Sequence, residues 1–85
     1  MEQPSETVWF RAFDAKSLGS AIRGARRELK LTQSELAKMI KASRHTIIRL
    51  EQGESVSIET ATAAIRALDR DVALIPRFSR LQLKT

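Results

Sequence analysis

The sequence of 85 residues contains no cysteine and only one histidine. Disulfides and thiolate metal sites are therefore excluded, and a single histidine leaves no partner set for a metal site of the usual kind. No apolar run approaches the roughly 20 residues of a membrane span, and the N-terminus lacks a signal-peptide stretch. We therefore expect a soluble, cytoplasmic protein in a reducing compartment, with no cofactor, no metal and no membrane contact.

Glycine is almost as scarce, with three residues in the chain, and none of them belongs to a phosphate-cradling loop. Together with the missing cysteine and the lone histidine, this makes an enzyme the function class that the sequence supports least. A chain of this length forms one small domain and buries only about 60% of its unfolded surface. Self-association is a common supplement to so thin a core.

Basic residues, in contrast, are concentrated in one part of the chain. Nine of the 15 lysines and arginines lie between residues 16 and 49, against two acids, which gives this window a net charge of +7. A localised basic surface suits a polyanion, because each Lys or Arg that meets a phosphate releases counterions. A merely solvated surface would have the same composition, so charge alone leaves both interpretations open.

Helix signals begin after residue 13. Residues 1–13 form a polar start and the segment VWFRAF, which is typical of a short extended stretch or of a lead into a helix. Asp14 or Ser17 can then cap a first helix. Its apolar face, at helical spacing, consists of Leu18, Ile22, Ala25 and Leu29.

Two further helices follow at a short interval. Thr32-Gln-Ser-Glu35 is a capping box, whose first and last residues each satisfy a backbone N–H at the start of a helix that runs to about Ile40. Lys41-Ala42 makes the turn, and Ser43 caps a third helix that ends near the Gln52-Gly53 stop signal. Two short helices joined by a tight turn, the second with a polar face, make a helix-turn-helix.

The C-terminal part predicts one more helix and a strand. Ser57 caps the helix, and the run Val72–Ile75, halted by Pro76, is short, partly β-branched and typical of a strand. A lone edge strand exposes its hydrogen-bonding groups, so pairing with the same strand of a second copy would join two protomers. The apolar residues of the fourth helix are Ile58, Ala61, Ala64, Ile65 and Leu68. The predicted dimerisation residues are Val72, Ala73, Leu74 and Ile75.

The segments TQSELAKMI and SRHTIIRLEQG resemble the Cro/C1-type (XRE) helix-turn-helix family, and the resemblance extends over about Leu18 to Ile75. It implies an all-α, lambda-repressor-like bundle of four to five helices with a short C-terminal dimerisation strand. Lys41 departs from the glycine that the family often has in the turn, and a left-handed lysine would cost about 1 kcal/mol. The expected organisation is an N-terminal arm (1–13), a DNA-binding domain (14–71), a dimerisation strand (72–76) and a tail (77–85).

The third helix is predicted to present its polar side to DNA. On a wheel with about 100° per residue, His45 points away from the apolar positions. N-terminal residues of such a helix meet base edges in the major groove, where Arg can pair with guanine. The resemblance places base contacts at Arg44, His45 and Arg49, and it places Gln33 where a helix N-terminus and a side chain grip a phosphate. The predicted DNA-binding set is Gln33, Ser43, Arg44, His45, Thr46, Arg49 and Lys38.

Ordinary structural interpretations stay open for these residues. The two arginines of the third helix could be solvated charges, and His45 could be incidental. Ile48, expected to be exposed, could touch a thymine methyl or pack against another part of the protein. The resemblance also implies that Arg26 and Glu51 form an ion pair between the first helix and the end of the third, which would make Arg26 structural.

Four helices followed directly by a short strand resemble, within this family, the HipB-type antitoxins. That resemblance implies a homodimer that binds operator DNA, represses its own operon and binds a HipA-like kinase toxin. The alternatives are a stand-alone phage-type or chromosomal repressor, or a protein-interaction adaptor that uses the helix-turn-helix surface. An adaptor would explain an exposed Ile48 and the aromatic residues outside the motif, which otherwise cover the small core. They are Trp9, Phe10, Phe13 and Phe78.

Overall fold

The computed structural model describes residues 9–77, which fold into four helices without a strand. The predicted all-α helix-turn-helix fold is therefore confirmed. None of these helices is both long and apolar enough to cross a membrane. Residues 1–8 and the tail from Phe78 onward lie outside the described residues. The helices are α1 (Ala15–Glu28), α2 (Gln33–Met39), α3 (Arg44–Glu51) and α4 (Ile58–Ala67).

The first two helices begin with reciprocal capping boxes. The sequence predicts the box of α2, whereas for α1 it leaves Asp14 and Ser17 open as the cap. Asp14 is the N-cap of α1: the Ser17 N–H donates to its Oδ1 at 2.7 Å, and the Asp14 N–H donates to Ser17 Oγ at 3.0 Å. In α2 the Glu35 N–H donates to Thr32 Oγ1 at 3.0 Å, and the Thr32 N–H donates to Glu35 Oε1 at 2.7 Å. The Ser17 hydroxyl also donates to Asp14 Oδ1 at 2.7 Å, and together with the Ser17 N–H it lowers the pKa of Asp14. The hydrogen bonds of the Glu35 carboxylate with the backbone and side chain of Thr32 lower the pKa of Glu35.

Serine N-caps start the other two helices. The Oγ of Ser43 accepts the Thr46 N–H at 3.1 Å at the start of α3. The Oγ of Ser57 accepts the Thr60 N–H at 3.0 Å at the start of α4. Each helix thus begins at a residue whose side chain satisfies a free backbone donor, which is why the starts are visible in the sequence.

All four helices also end in one pattern, with a left-handed residue just after the C-cap. These residues are Lys30 (φ 58°), Lys41 (φ 57°), Gly53 (φ 80°) and Asp69 (φ 59°). After α2, the Lys41 N–H donates to the carbonyl of Lys38 and the Ala42 N–H to that of Ala37, the two hydrogen bonds of a Schellman motif. Only Gly53 among the four is a glycine. The chain therefore holds three side chains in a backbone region that glycine adopts without strain.

The core is built from the inner faces of the four helices. It consists of Ile22, Ala25, Leu36, Ala37, Ile47, Leu50, Ala64, Ile65 and Leu68. Leu29 and Ile58, which the helical spacing placed on apolar faces, are exposed instead. Leu29 is the C-cap of α1 and Ile58 is the first residue of α4, so both lie at helix ends, away from the packed centres.

Close contact between α1 and α3 sets the position of the helix-turn-helix. Gly19 of α1 is buried, and a Cβ at this position would collide with the backbone carbonyls of Leu50 and Glu51. The missing side chain therefore lets the end of α3 lie directly on α1. This contact fixes the C-terminal end of α3 and leaves its first turn at the surface.

Phe10 connects the segment before α1 with the segment after α4. A Cβ added to Gly24 would meet the ring carbons of Phe10. On another side, the guanidinium carbon of Arg70 lies 5.7 Å from the centroid of the same ring, within cation–π range. Residues Trp9–Phe13 have no helical or strand structure, and Trp9 and Phe13 stay exposed.

Residues Val72–Ile75 form no strand within the part of the chain that the structure describes. A strand needs a partner, and the predicted partner is the same segment of a second copy. Val72, Leu74 and Ile75 are exposed in the single chain, and Leu74 is 97% exposed. The pairing of these segments therefore remains a prediction about two chains.

Candidate nucleic-acid interface

The first turn of α3 is presented to the surface as the helical wheel predicts. Ile47 and Leu50 are buried, while Arg44 and His45 are exposed. The side chain of neither Arg44 nor His45 has a hydrogen bond or ion pair with another residue in the range 9–77. Both side chains are thus available to a ligand that approaches the start of α3.

Two hydroxyl groups lie beside this turn, on the N-cap and the third residue of α3. The Oγ of Ser43 and the Oγ1 of Thr46 are 3.0 Å apart and share a hydrogen bond. Because a hydroxyl keeps further hydrogen-bonding capacity, each can still contact a phosphate oxygen or a base edge. Lys38, on α2, is exposed.

Arg49 differs from the expectation, because its own chain partly covers it. Its Nη2 donates to the carbonyl oxygen of Ser55 at 2.8 Å, and its Nε lies 3.4 Å from Glu54 Oε1. A helical wheel shows the direction of a side chain but not the loop that returns beside it. The guanidinium of Arg49 therefore holds the loop after α3 and is not presented as freely as that of Arg44.

Arg26 and Glu51 form the ion pair that the family resemblance implies. Arg26 Nε donates to Glu51 Oε2 at 2.6 Å and Nη2 to Oε1 at 3.0 Å, with both side chains buried. Arg26 Nη1 also donates to the carbonyl of Leu31 at 2.8 Å. The pair joins the end of α3 to α1 and to the loop before α2.

Gln33 belongs to this network as well as to the surface. Its Nε2 donates to Glu51 Oε1 at 3.1 Å, and the residue is half-buried. A carboxylate can only accept hydrogen bonds, so Glu51 determines which end of the Gln33 amide faces inward. Ile48 is also half-buried rather than exposed, which removes one reason for the adaptor interpretation.

A groove next to the start of α3 contains residues that sequence reasoning missed. It has a volume of about 380 Å³, and Arg23 and Arg27 of α1 line it together with Arg44. Their i, i+4 spacing, which places both arginines on one side of a helix, was the available signal. The groove is lined by Arg23, Arg26, Arg27, Leu31, Thr32, Gln33, Ser34 and Arg44.

Comparison with known proteins agrees with this geometry. A family model described as helix-turn-helix matches residues 22–75, more than half of the chain. An uncharacterized HTH-type transcriptional regulator of Methanothermobacter thermautotrophicus is 49% identical over 51 residues, which cover 59% of this chain and 74% of that protein.

Solved structures share the fold. The clp gene regulator ClgR from C. glutamicum superposes with a TM-score of 0.64 at 32% identity, covering 68% of this chain and 76% of ClgR. A chain of the HipA–HipB–O2–O3 complex superposes with a TM-score of 0.72 at 25% identity, covering 80% of this chain and 97% of that one. The family match and the exposed first turn of α3 lead to one assignment: the chain belongs to the Cro/C1-type helix-turn-helix family of DNA-binding transcriptional regulators.

Proposed function

We propose that this regulator is a homodimeric, sequence-specific repressor and the antitoxin of a HipBA-like operon, which it autoregulates while binding a kinase toxin. The observation that carries the DNA part is the exposed pair Arg44 and His45 at the first turn of α3, anchored from behind by Ile47 and Leu50. Such a turn fits the major groove, where Arg forms a bidentate pair with guanine.

The other predicted DNA-binding residues have supporting roles in this proposal. The hydroxyls of Ser43 and Thr46 and the ammonium of Lys38 contact phosphates beside the bases. Gln33 donates the second N–H of its Nε2, which Glu51 leaves free, to a phosphate. Arg49 already donates to the Ser55 carbonyl, so its main role in this proposal is to hold the loop after α3.

Dimerisation is proposed to occur through Val72, Ala73, Leu74 and Ile75. Pairing of two such segments would satisfy their backbone groups and bury apolar side chains that the single chain exposes. A two-fold dimer presents its α3 helices to successive major grooves, with half-sites about 34 Å apart. A repressor of this type therefore binds a palindromic site.

The antitoxin part is supported by the likeness to the HipA–HipB–O2–O3 complex, in which a chain of similar fold is found together with HipA. The likeness to ClgR favours a second candidate, a stand-alone gene regulator without a toxin. A neighbouring reading frame separates the two. An adjacent HipA-like kinase whose toxicity the chain neutralises on co-expression supports the antitoxin, and the absence of such a kinase supports the stand-alone repressor.

The DNA part is tested by selection of duplexes from a random pool, followed by titration of the enriched duplex at several salt concentrations. Wild type should bind with log K falling linearly against log salt. Arg44→Ala should lose about 1–3 kcal/mol of preference for the enriched duplex, whereas Arg66→Ala, on the exposed side of α4, should keep it. Absence of enrichment, or a flat salt dependence, would refute the proposal.

The dimer is tested by sedimentation of Leu74→Lys, in which the introduced charge should prevent pairing and give monomers. Ile58→Lys is the matched control, because Ile58 is also exposed but lies at the start of α4. A Leu74→Lys protein that stays dimeric would place the interface elsewhere.

A further inference from the structure

The groove between α1 and the start of α2 contains an unusual concentration of positive charge. Four of its eight lining residues are arginines, and none of the eight is an acid. One of the four, Arg26, is neutralised by the buried carboxylate of Glu51. The groove itself therefore depends on the other three arginines for its charge.

Arg23, Arg27 and Arg44 are exposed and uncompensated. Within residues 9–77, none of their three guanidinium groups has an ion pair or a hydrogen bond to another residue. Arg49 provides the contrast, because Ser55 and Glu54 hold its guanidinium. Three guanidiniums around one depression repel one another until an anion lies between them.

The chemistry of the groove selects the kind of anion. A guanidinium offers a planar fork of N–H donors that matches the oxygens of a phosphate. The hydroxyls of Thr32 and Ser34 at the rim add neutral hydrogen-bonding groups. The groove therefore suits a phosphate oxyanion better than an apolar or cationic ligand.

Arg44 connects this groove with the surface that contacts bases, because it lines the groove and also begins α3. We infer that the groove binds a backbone phosphate of the same duplex whose bases meet α3, and that Arg23 and Arg27 make α1 a third DNA-contacting helix. This inference rests on the proposed DNA-binding function and adds to it a phosphate site supplied by α1. Contacts of this kind fix the register of the protein on DNA and carry no base preference.

The test compares the double variant Arg23→Ala/Arg27→Ala with the control Arg66→Ala/Arg77→Ala, which removes the same charge from exposed positions on α4 and after it. Both are titrated with the selected duplex and with a scrambled duplex across a series of salt concentrations. Each lost phosphate contact lowers the slope of log K against log salt by about 0.9. The proposed dimer has two grooves with one phosphate each, so the groove variant loses two contacts. In the groove variant the magnitude of this slope should fall by nearly two, and the affinity for both duplexes should fall by the same factor. The control should keep the wild-type slope.

The possible failures are distinguishable. An unchanged slope in the groove variant, with wild-type binding intact, overturns the α1 site and leaves the proposed function standing. An equal loss in the control variant also overturns it, because net charge alone would then explain the effect. Absence of wild-type binding to either duplex would overturn both the α1 phosphate site and the proposed DNA-binding function. Thermal melting of each variant confirms that it is folded, and melting stabilised by inorganic phosphate without a change in DNA slope would show a small-anion site and overturn the duplex assignment.

Discussion

The guanidinium of Arg26 donates two hydrogen bonds to the carboxylate of Glu51, Nε to Oε2 at 2.6 Å and Nη2 to Oε1 at 3.0 Å. The same carboxylate accepts a third hydrogen bond from Gln33 Nε2 at 3.1 Å. A buried charge left without its partner is costly, so one substitution here affects α1, α3 and the start of α2 together.

Arg26→Ala is therefore expected to lower the free energy of unfolding by about 3–5 kcal/mol, because it leaves the Glu51 carboxylate buried and unpaired. Urea denaturation measures this loss. The fraction that remains folded should keep its preference for the selected duplex, because Arg26 itself faces inward. Unchanged urea stability in Arg26→Ala would show that the pair contributes little.

Lys41→Gly should have the opposite effect and raise the stability by up to about 1 kcal/mol. Lys41 has φ 57°, a left-handed conformation that glycine adopts without a clash of Cβ. The matched control is Lys38→Gly, in the last turn of α2, where glycine in a helix costs about 1 kcal/mol. The same chemical change three residues apart should thus shift the urea midpoint in opposite directions, and shifts of equal sign would contradict the explanation.

Gly24→Ala tests the contact between Phe10 and α1. Alanine favours a helix over glycine by about 1 kcal/mol, but here its Cβ would meet the Phe10 ring. We expect Gly24→Ala to be more stabilising in a Phe10→Ala background than in the wild type, as measured by a double-mutant cycle. Gly19→Ala is the control and should destabilise both backgrounds, because its Cβ meets the backbone of Leu50 and Glu51. Additive effects at positions 10 and 24 would exclude the contact.

Acid is expected to weaken the first two helix caps. Hydrogen bonds from the side chain and backbone of Ser17 lower the pKa of Asp14 below its ordinary 3.8, and those from the backbone and side chain of Thr32 lower the pKa of Glu35 below its ordinary 4.5. A carboxyl with a lowered folded pKa stabilises the fold above its unfolded pKa, and this contribution disappears as the pH falls through the folded pKa.

The free energy of unfolding should consequently decrease as the pH falls below about 4.5. The variant Asp14→Asn/Glu35→Gln keeps hydrogen-bonding side chains that cannot ionise, so its decrease should be shallower. Urea titrations at a series of acidic pH values compare the two proteins. Parallel curves would show that these caps do not contribute to the acid sensitivity.

The local features of this structure could be predicted from the sequence, whereas the features formed by distant residues could not. Each N-cap contacts a residue three positions later, so the residue types that form it can be recognised in a short stretch of sequence. The N-caps are Asp14, Thr32, Ser43 and Ser57. The pairing of Arg26 with Glu51, 25 residues apart, was implied only by the family resemblance.

Tertiary contacts account for what sequence reasoning missed in the site. The loop that returns to Arg49 and the groove that brings Arg23 and Arg27 next to Arg44 both depend on how helices pack. A helical wheel treats one helix at a time and contains no information on either. The pairing of Val72–Ile75 with a second copy was predicted from the sequence and stays a prediction, because it concerns two chains.

The position of Phe10 has a practical consequence for how this protein is handled. Its ring packs on α1 at Gly24 and lies within cation–π range of Arg70, which precedes the C-terminal segment. A shortened protein that starts at residue 14 would keep every helix but would lose the contact between Phe10 and Arg70. Removal of residues 1–13 should therefore change the proposed dimerisation through Val72–Ile75 before it changes the helices.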